Sequence, residues 1–421
     1  MLHSYLAIAV RQLLAQKLYA AINVVGLALG LACALLIALF VRHELSYDRH
    51  YRNSDRIVRI SEDIAVHPPL HVAGSSPAIA PLLEDFFPQI EHAARLMGCL
   101  QMGGGMLVTV GERRFVEPRV MGAENGFFEI FELDWLRGDP RTALASPNTV
   151  VLTDSTARKY FGDADALGKI VELMETRIPH EVTGVVADLP DNTHLRFDLL
   201  LSLSGAPAET LASWGSNCFH TYARLAEGAR PADIGHRSGE FFNQRFMDGS
   251  ARIRGFTAVP IRDIHLRSTR EGEIKVPGSI ANVYALATVA AFVLSIACIN
   301  FVNLATARAR LRAKEVGLRK SFGGTRAQLT RQFVGEALLL ATFAFGLALV
   351  IVVAALAPFA TFVERDIGLR TFVETGVLMD SHVSRDLILT IFLPGSALHD
   401  GAGIIRGRRR GRRLHDPPAG R

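Results

Sequence analysis

The sequence predicts a membrane protein, with transmembrane α-helices and an α+β domain inserted between the first two of them outside the cytoplasm. Three observations carry this reading. Three long runs contain no charged residue; a long stretch of mixed polar and apolar sequence separates the first two; and basic residues crowd the short loop between the second and third. The formal charge of +5 is a sum of unlike parts. Residues 42–282 carry 26 Lys/Arg against 32 Asp/Glu, whereas residues 303–332 carry eight basic residues and the single acid Glu315. Positive charge confined beside apolar runs argues against nucleic acid as a partner and for lipid headgroups.

Residues 1–19 read as a cytoplasmic N-terminal segment containing Arg11 and Lys17. The first span is predicted at 20–41, the second at 283–302 and the third at 333–360, around the uncharged run 337–357. A bilayer core about 30 Å thick is crossed by about 20 helical residues, so each run is long enough. The first run is longer than the roughly 7–15 apolar residues of a signal peptide and continues past Ala32-Cys33-Ala34 to Val41, so it reads as an uncleaved anchor. Gly26 and Gly30 form a GxxxG pair on it, a face on which another helix can approach closely. Glu336, near the start of the third span, is costly against lipid and is expected to face another helix or a partner protein.

Orientation follows from charge. Short loops rich in Lys and Arg stay in the cytoplasm, which places 303–332 inside and 42–282 outside. The inserted domain mixes strands with helices. Thr149-Val150-Val151-Leu152 reads as a strand, followed by a helix capped at Thr153 or Asp154 and ending near Gly162. "HEVTGVVADLP" reads as a second strand stopped by Pro190, and Ser76-Pro77 as the opening of another helix.

Catalytic and metal signatures do not emerge. "GDADALGK", residues 162–169, has one residue too many between its glycines for a phosphate loop, and Ile170 stands where Ser or Thr is needed. His67 and His71 flank Pro68-Pro69, which denies them the helical spacing of a zinc motif. His194 and His265 read as solvated or core histidines. Cys99 and Cys218 fall in the inserted domain, where an oxidising compartment would allow pairing, but nothing in their spacing requires it. No metal, no cofactor and no catalytic residue is predicted.

Several segments resemble one known family. "LAIAVRQLLAQKLYAAINVVGLALGLA" and "HELSYDRHYRNSDRIVRI" are similar to the opening of bacterial FtsX-like, MacB-type ABC transporter permeases. "FFEIFELDWLRGDPRTALASPNTVVLTDSTARKYFGD", "VTGVVADLPDNTHLRFDLLLS" and "IRDIHLRS" resemble that family's periplasmic core domain, and "ACINFVNLATARARLRAKEVGLRKSFGGTRAQLTRQFVGEALLL" its permease module. The resemblance implies a multi-pass protein of the bacterial inner membrane with 42–282 in the periplasm. It implies a non-catalytic permease subunit working with a separate cytoplasmic ABC ATPase that binds the ATP, for export of a substrate such as an antimicrobial peptide, a macrolide or a lipoprotein. A second permease copy and a periplasmic adaptor are candidate partners.

Under that resemblance the 303–332 strip is an ATPase-coupling segment. Arg312, Arg319, Lys320 and Arg326 would lie against anionic headgroups. Glu315, Val316, Gly317, Leu318 and Phe322 would be offered to a groove on the ATPase, and Gly323-Gly324 would end the helix. The competing reading is a membrane-anchored extracytoplasmic sensor or a regulator of cell-wall hydrolases, which shares the span, domain, span layout. The family pattern expects a fourth span. Here the C-terminal segment 361–421 begins a span at "LILTIFL" and changes after about residue 393 to Arg/Gly/Pro-rich sequence, which reads as a shifted reading frame.

Overall fold

The computed structural model describes residues 17–98, 100, 104–174, 176–244, 253–311, 317–318, 321, 325–363 and 365. It divides into two units, Val41–Ala285 and a second that joins Met1–Phe40 to Leu286–Arg421. The second is built on helices. Lys17–Leu45, Ile280–Leu311 and Arg326–Val363 are each long and apolar enough to cross a membrane. Leu27, Ala28, Ala32 and Leu39 of the first helix pack against Ala344, Ala348, Val352 and Leu356 of the third. That four-residue period places one ridge of the third helix against the first.

The Gly26/Gly30 face meets the second helix. A Cβ built on Gly26 would lie 3.8 Å from Asn300 Nδ2, and one on Gly30 would collide with Ala297 Cβ. Close approach of two backbones is what a glycine on a helix face permits. Gly30→Val is therefore expected to overpack this contact and destabilise the helical unit by about 1–3 kcal/mol. Thermal unfolding of the chain in lipid nanodiscs checks this; a Gly30→Val protein as stable as the parent would mean that the helices do not pack on this face.

The first unit is a mixed sheet with helices on it. Its strands are β1 (Ile57–Ile64), β2 (Leu70–His71), β3 (Ile90–Met97), β4 (Met106–Val110), β5 (Arg113–Glu117), β6 (Val120–Ala123) and β7 (Trp135–Gly138). They continue with β8 (Thr149–Thr153), β9 (Ile170–Leu173), β10 (Ile178–Val186), β11 (Leu199–Ser202), β12 (Phe219–Leu225) and β13 (Ile253–Pro260). The order across the sheet is β13-β1-β12-β3-β6-β11-β8-β10-β9-β4-β5, with β2 on β1 and β7 on β10. Among the described strands only β10 with β8 and β11 with β6 pair in parallel.

The predicted strand and helix at 149–162 appear as β8 and the helix Asp154–Phe161, which Gly162 ends with φ +63°. A residue without a side chain takes that conformation at least cost. The helix expected to open at Ser76-Pro77 instead starts at Ala80. Ser76 is held in a turn because its amide and hydroxyl both donate to the Glu62 carboxylate. At one end of the sheet Phe87, Phe241 and Phe256 close a core over Val58 and Ile60; at the other, Tyr160 and Ala157 pack on Val150, Leu152 and Val182. Between them Phe127, Phe131 and Tyr222 fill a third core that also contains Ile57, Ile261 and Ile264.

Candidate functional site: the junction of the inserted domain

The chain enters this domain from the first helix and leaves it toward the second. Both passages are fixed by buried polar groups rather than by apolar packing alone. On the incoming side, the Ser46 hydroxyl donates to the His43 carbonyl at 2.7 Å and closes the helix end. Asp48 then turns with φ +58°, a left-handed conformation that Asp tolerates better than most side chains. Its carboxylate is buried and accepts from the Thr193 hydroxyl at 2.7 Å and the His194 amide at 3.0 Å. His194 Nδ1 stands 2.9 Å from the same carboxylate, and its Nε2 is 2.7 Å from the Tyr222 hydroxyl. Burial pushes the Asp48 carboxyl up, but His194, Thr193 and the amide outweigh it and hold it below the ordinary value.

On the outgoing side lie the helix Ile261–Arg267 and the strap 268–279. His265 Nε2 is 2.8 Å from Glu44 Oε2, and its ring stacks on Tyr47 with centroids 3.4 Å apart. The Gly278 amide donates to the His265 carbonyl at 2.8 Å. A side chain at Gly278 would press on Glu44 Oε2 at 2.7 Å and His265 Nε2 at 3.0 Å, so a glycine is needed for the strap to pass. Lys275 donates to the Asp191 carbonyl at 2.8 Å. Burial lowers its pKa, against the opposing charge of Asp191.

The strap is also stitched to β1. Arg59, 0% exposed, makes a bidentate pair with Glu273, 5% exposed, at 2.5 and 2.7 Å. Ser268 donates to the same carboxylate. Arg270 reaches Asp63 at 2.9 Å, and the Glu271 backbone pairs with His71 and Ala73. Burial pushes the Glu273 carboxyl up, but the hydrogen bonds and charge of Arg59 prevail and hold it down. Next to this pair His220 is buried, and desolvation with the Arg59 charge lowers its pKa to about 3.

These shifts fix the sign of one pH effect. A depressed carboxyl contributes stability above its ordinary pKa, and that contribution is lost as pH falls through the depressed value. His220 stays neutral in the fold while the unfolded chain takes up a proton near pH 6.5, so the fold loses stability between about 6.5 and 3. His220→Leu is expected to flatten that acid limb in pH-resolved denaturation. An unchanged limb would show that His220 does not contribute to it.

Of the predicted site residues, Gly317 and Leu318 are helical, with Leu318 62% exposed. Glu315, Val316, Arg319, Lys320, Gly323 and Gly324 lie outside the described residues, as do Arg312, Phe322 and Cys99. Glu336 is buried in the third helix. Sequence reading overlooked Glu44, Asp48, Arg59, Tyr222 and Glu273. One signal was present: Arg59 interrupts the apolar strand Ile57-Val58-Arg59-Ile60, and a charge mid-strand demands a buried partner. His194 and His265 are core histidines, and each faces a carboxylate.

The junction is assembled from "HELSYD", "DNTH" and "DIH", three pieces far apart in the chain. Residues 20–237 match the family described as the MacB-like periplasmic core domain. The chain belongs to this family. Residues 287–396 match a second description, the FtsX-like permease C-terminal, and the two together make this an FtsX/MacB-type ABC transporter permease. Among curated relatives, it is 23% identical over 244 residues to the macrolide export ATP-binding/permease protein MacB of Aggregatibacter actinomycetemcomitans, covering 56% of this chain and 35% of that one. A diadenylate cyclase of Listeria monocytogenes is 44% identical over 45 residues, 11% of this chain and 16% of the cyclase. The chain thus spans between 16% and 35% of the length of these relatives. A solved domain of a permease protein from Porphyromonas gingivalis aligns with a TM-score of 0.43 at 23% identity, over 56% of this chain and 99% of that domain.

Proposed function

We propose that this MacB-type permease is the membrane subunit of an exporter, which converts ATP hydrolysis by a separate cytoplasmic ATPase into movement of its periplasmic domain. The observation that carries the proposal is the junction. A domain that merely hung from two spans would need no more than flexible linkers. Here the end of the first helix is bonded to the outgoing helix through Glu44 and His265, the incoming turn to the loop 191–194 through Asp48, and the strap to β1 through Glu273 and Arg59. Such a junction passes a displacement of the helix ends into the sheet, because packed and hydrogen-bonded elements move as units.

On this reading the chain crosses the inner membrane three times, with 42–282 outside and 303–332 as the surface that receives the ATPase stroke. ATP is bound by the partner, and the chain alone hydrolyses none. Glu315 to Gly324 dock in the ATPase groove, and the basic members also rest on headgroups. Charge reversal at Arg319 and Lys320 is expected to abolish co-purification with the ATPase and its stimulation. Correct insertion is verified separately by labelling, from outside, a cysteine introduced at Arg141, which is exposed. Co-purification and stimulation unchanged in a correctly inserted variant would refute the coupling role. The exported molecule is taken to be handled by the periplasmic domain rather than by a pathway through the spans. Cross-linking of substrate to Leu31 or Phe292 would overturn that.

A further inference from the structure

At β7 an open strand edge and unpaired charges lie side by side. This strand pairs with β10 alone, so among the described strands its other edge carries none. Leu136 is the extra residue of a β-bulge, between Trp135 opposite Val186 and Arg137 opposite Val185. Bulges bend a strand and re-aim its side chains, and they recur beside active sites. Leu136 is exposed, and its carbonyl accepts from the Arg137 guanidinium at 2.8 Å. A cleft of about 510 Å³ opens between this strand and the helix Asp154–Phe161 with the loop that follows it. Ligand sites are typically about 300–1,000 Å³. The buried Ala157, Ala166 and Val185 give the cleft its apolar base.

Its charges divide between the two sides. Arg137 stands on the strand and shares a sheet face with its register partner Val185. Asp163 and Asp165 stand on the loop after the helix. Among the described residues no ion pair engages any of these three, and Asp165 accepts only the Leu167 amide at 3.2 Å. Asp154 and Arg158, also at the cleft, satisfy each other at 2.9 Å. We propose that this cleft binds an extended peptide, laid along the free edge of β7 by main-chain hydrogen bonds, with a carboxylate toward Arg137 and an ammonium toward Asp163 and Asp165. An open strand edge is a template for strand addition. Unpaired charges of opposite sign on the two sides then select a chain that carries both. Trp135–Gly138 offers four residues, so the ladder is short and the charges weigh heavily in affinity. A small zwitterion would use the charges without the edge.

The test uses the full chain in lipid nanodiscs, immobilised, with neither ATPase nor nucleotide, so its failure is separate from a failure of the exporter reading. Synthetic pentapeptides Lys-X-X-X-Glu, X being Val, Thr or Ser, are compared with the same peptides carrying Gln at both ends. All have acetylated N-termini and amidated C-termini. The charged set is expected to be retained about fivefold better or more, the effect of one exposed ion pair. Arg137→Gln and, separately, Asp163→Asn/Asp165→Asn should each cut that preference several-fold and leave retention of the Gln set unchanged. These positions are exposed, and unaltered tryptophan emission verifies that the variants fold. N-methylation of the three central amides should abolish retention, and bound peptide should slow hydrogen exchange at 135–138. No retention of the charged set, equal retention of both sets, a preference kept whole in both variants, or N-methylated peptide held as well as its parent would overturn the proposal.

Discussion

Arg59→Met is expected to remove about 3–5 kcal/mol from the stability of the periplasmic domain, because it strands the buried Glu273 carboxylate without its cation. Both groups are almost wholly out of water, so solvent cannot take the place of the guanidinium. The paired variant Arg59→Met/Glu273→Leu should recover most of the loss, since removing both charges also removes the desolvation cost. Both tryptophans of the chain, Trp135 and Trp214, lie in this domain, so their fluorescence follows its unfolding in denaturant without contribution from the long apolar helices. A single variant that costs less than about 1 kcal/mol, the usual scale of an exposed ion pair, would show that water reaches the pair and that the strap is not fixed there.

Asp48→Ala should have a comparable effect through a different route. It leaves the His194 amide and the Thr193 hydroxyl without their acceptor, at about 1–3 kcal/mol for a buried unsatisfied group. It also places alanine, which lacks Asp's local hydrogen bonding, at φ +58°, which adds a fraction of the roughly 1–2 kcal/mol that this conformation costs an ordinary L-residue. Asp48→Asn keeps an acceptor and tolerates the same backbone, and is expected to cost less than half as much. Equal costs for the two would show that the lost charge matters and the lost acceptor does not.

Much of the fold was legible because it rests on local signals. Uncharged runs longer than a bilayer is thick mark the three helices, and Thr149–Gly162 announces its strand, helix and stop in adjacent residues. The junction was not legible in the same way. Asp48 meets His194 across 146 positions and Glu44 meets His265 across 221, and no periodicity reports contacts at that range. Family resemblance pointed to "HELSYD", "DNTH" and "DIH" as segments, but only folding shows that they meet. The misplaced helix at Ser76-Pro77 has the same cause. Pro at a first turn favours a helix, yet Glu62 on β1, 14 positions earlier, takes both the amide and the hydroxyl of Ser76.

The proposed coupling requires that a stroke delivered to residues 303–332 reach the inserted domain through the junction. Its most direct test is nucleotide-dependent hydrogen exchange of the full chain reconstituted with its ATPase, followed at 43–48 and 268–279. ATP added on the cytoplasmic side is expected to change protection in both segments together, and the Arg319/Lys320 charge reversal to abolish the change. Protection in these segments that is indifferent to nucleotide while the ATPase is bound and turning over would contradict it.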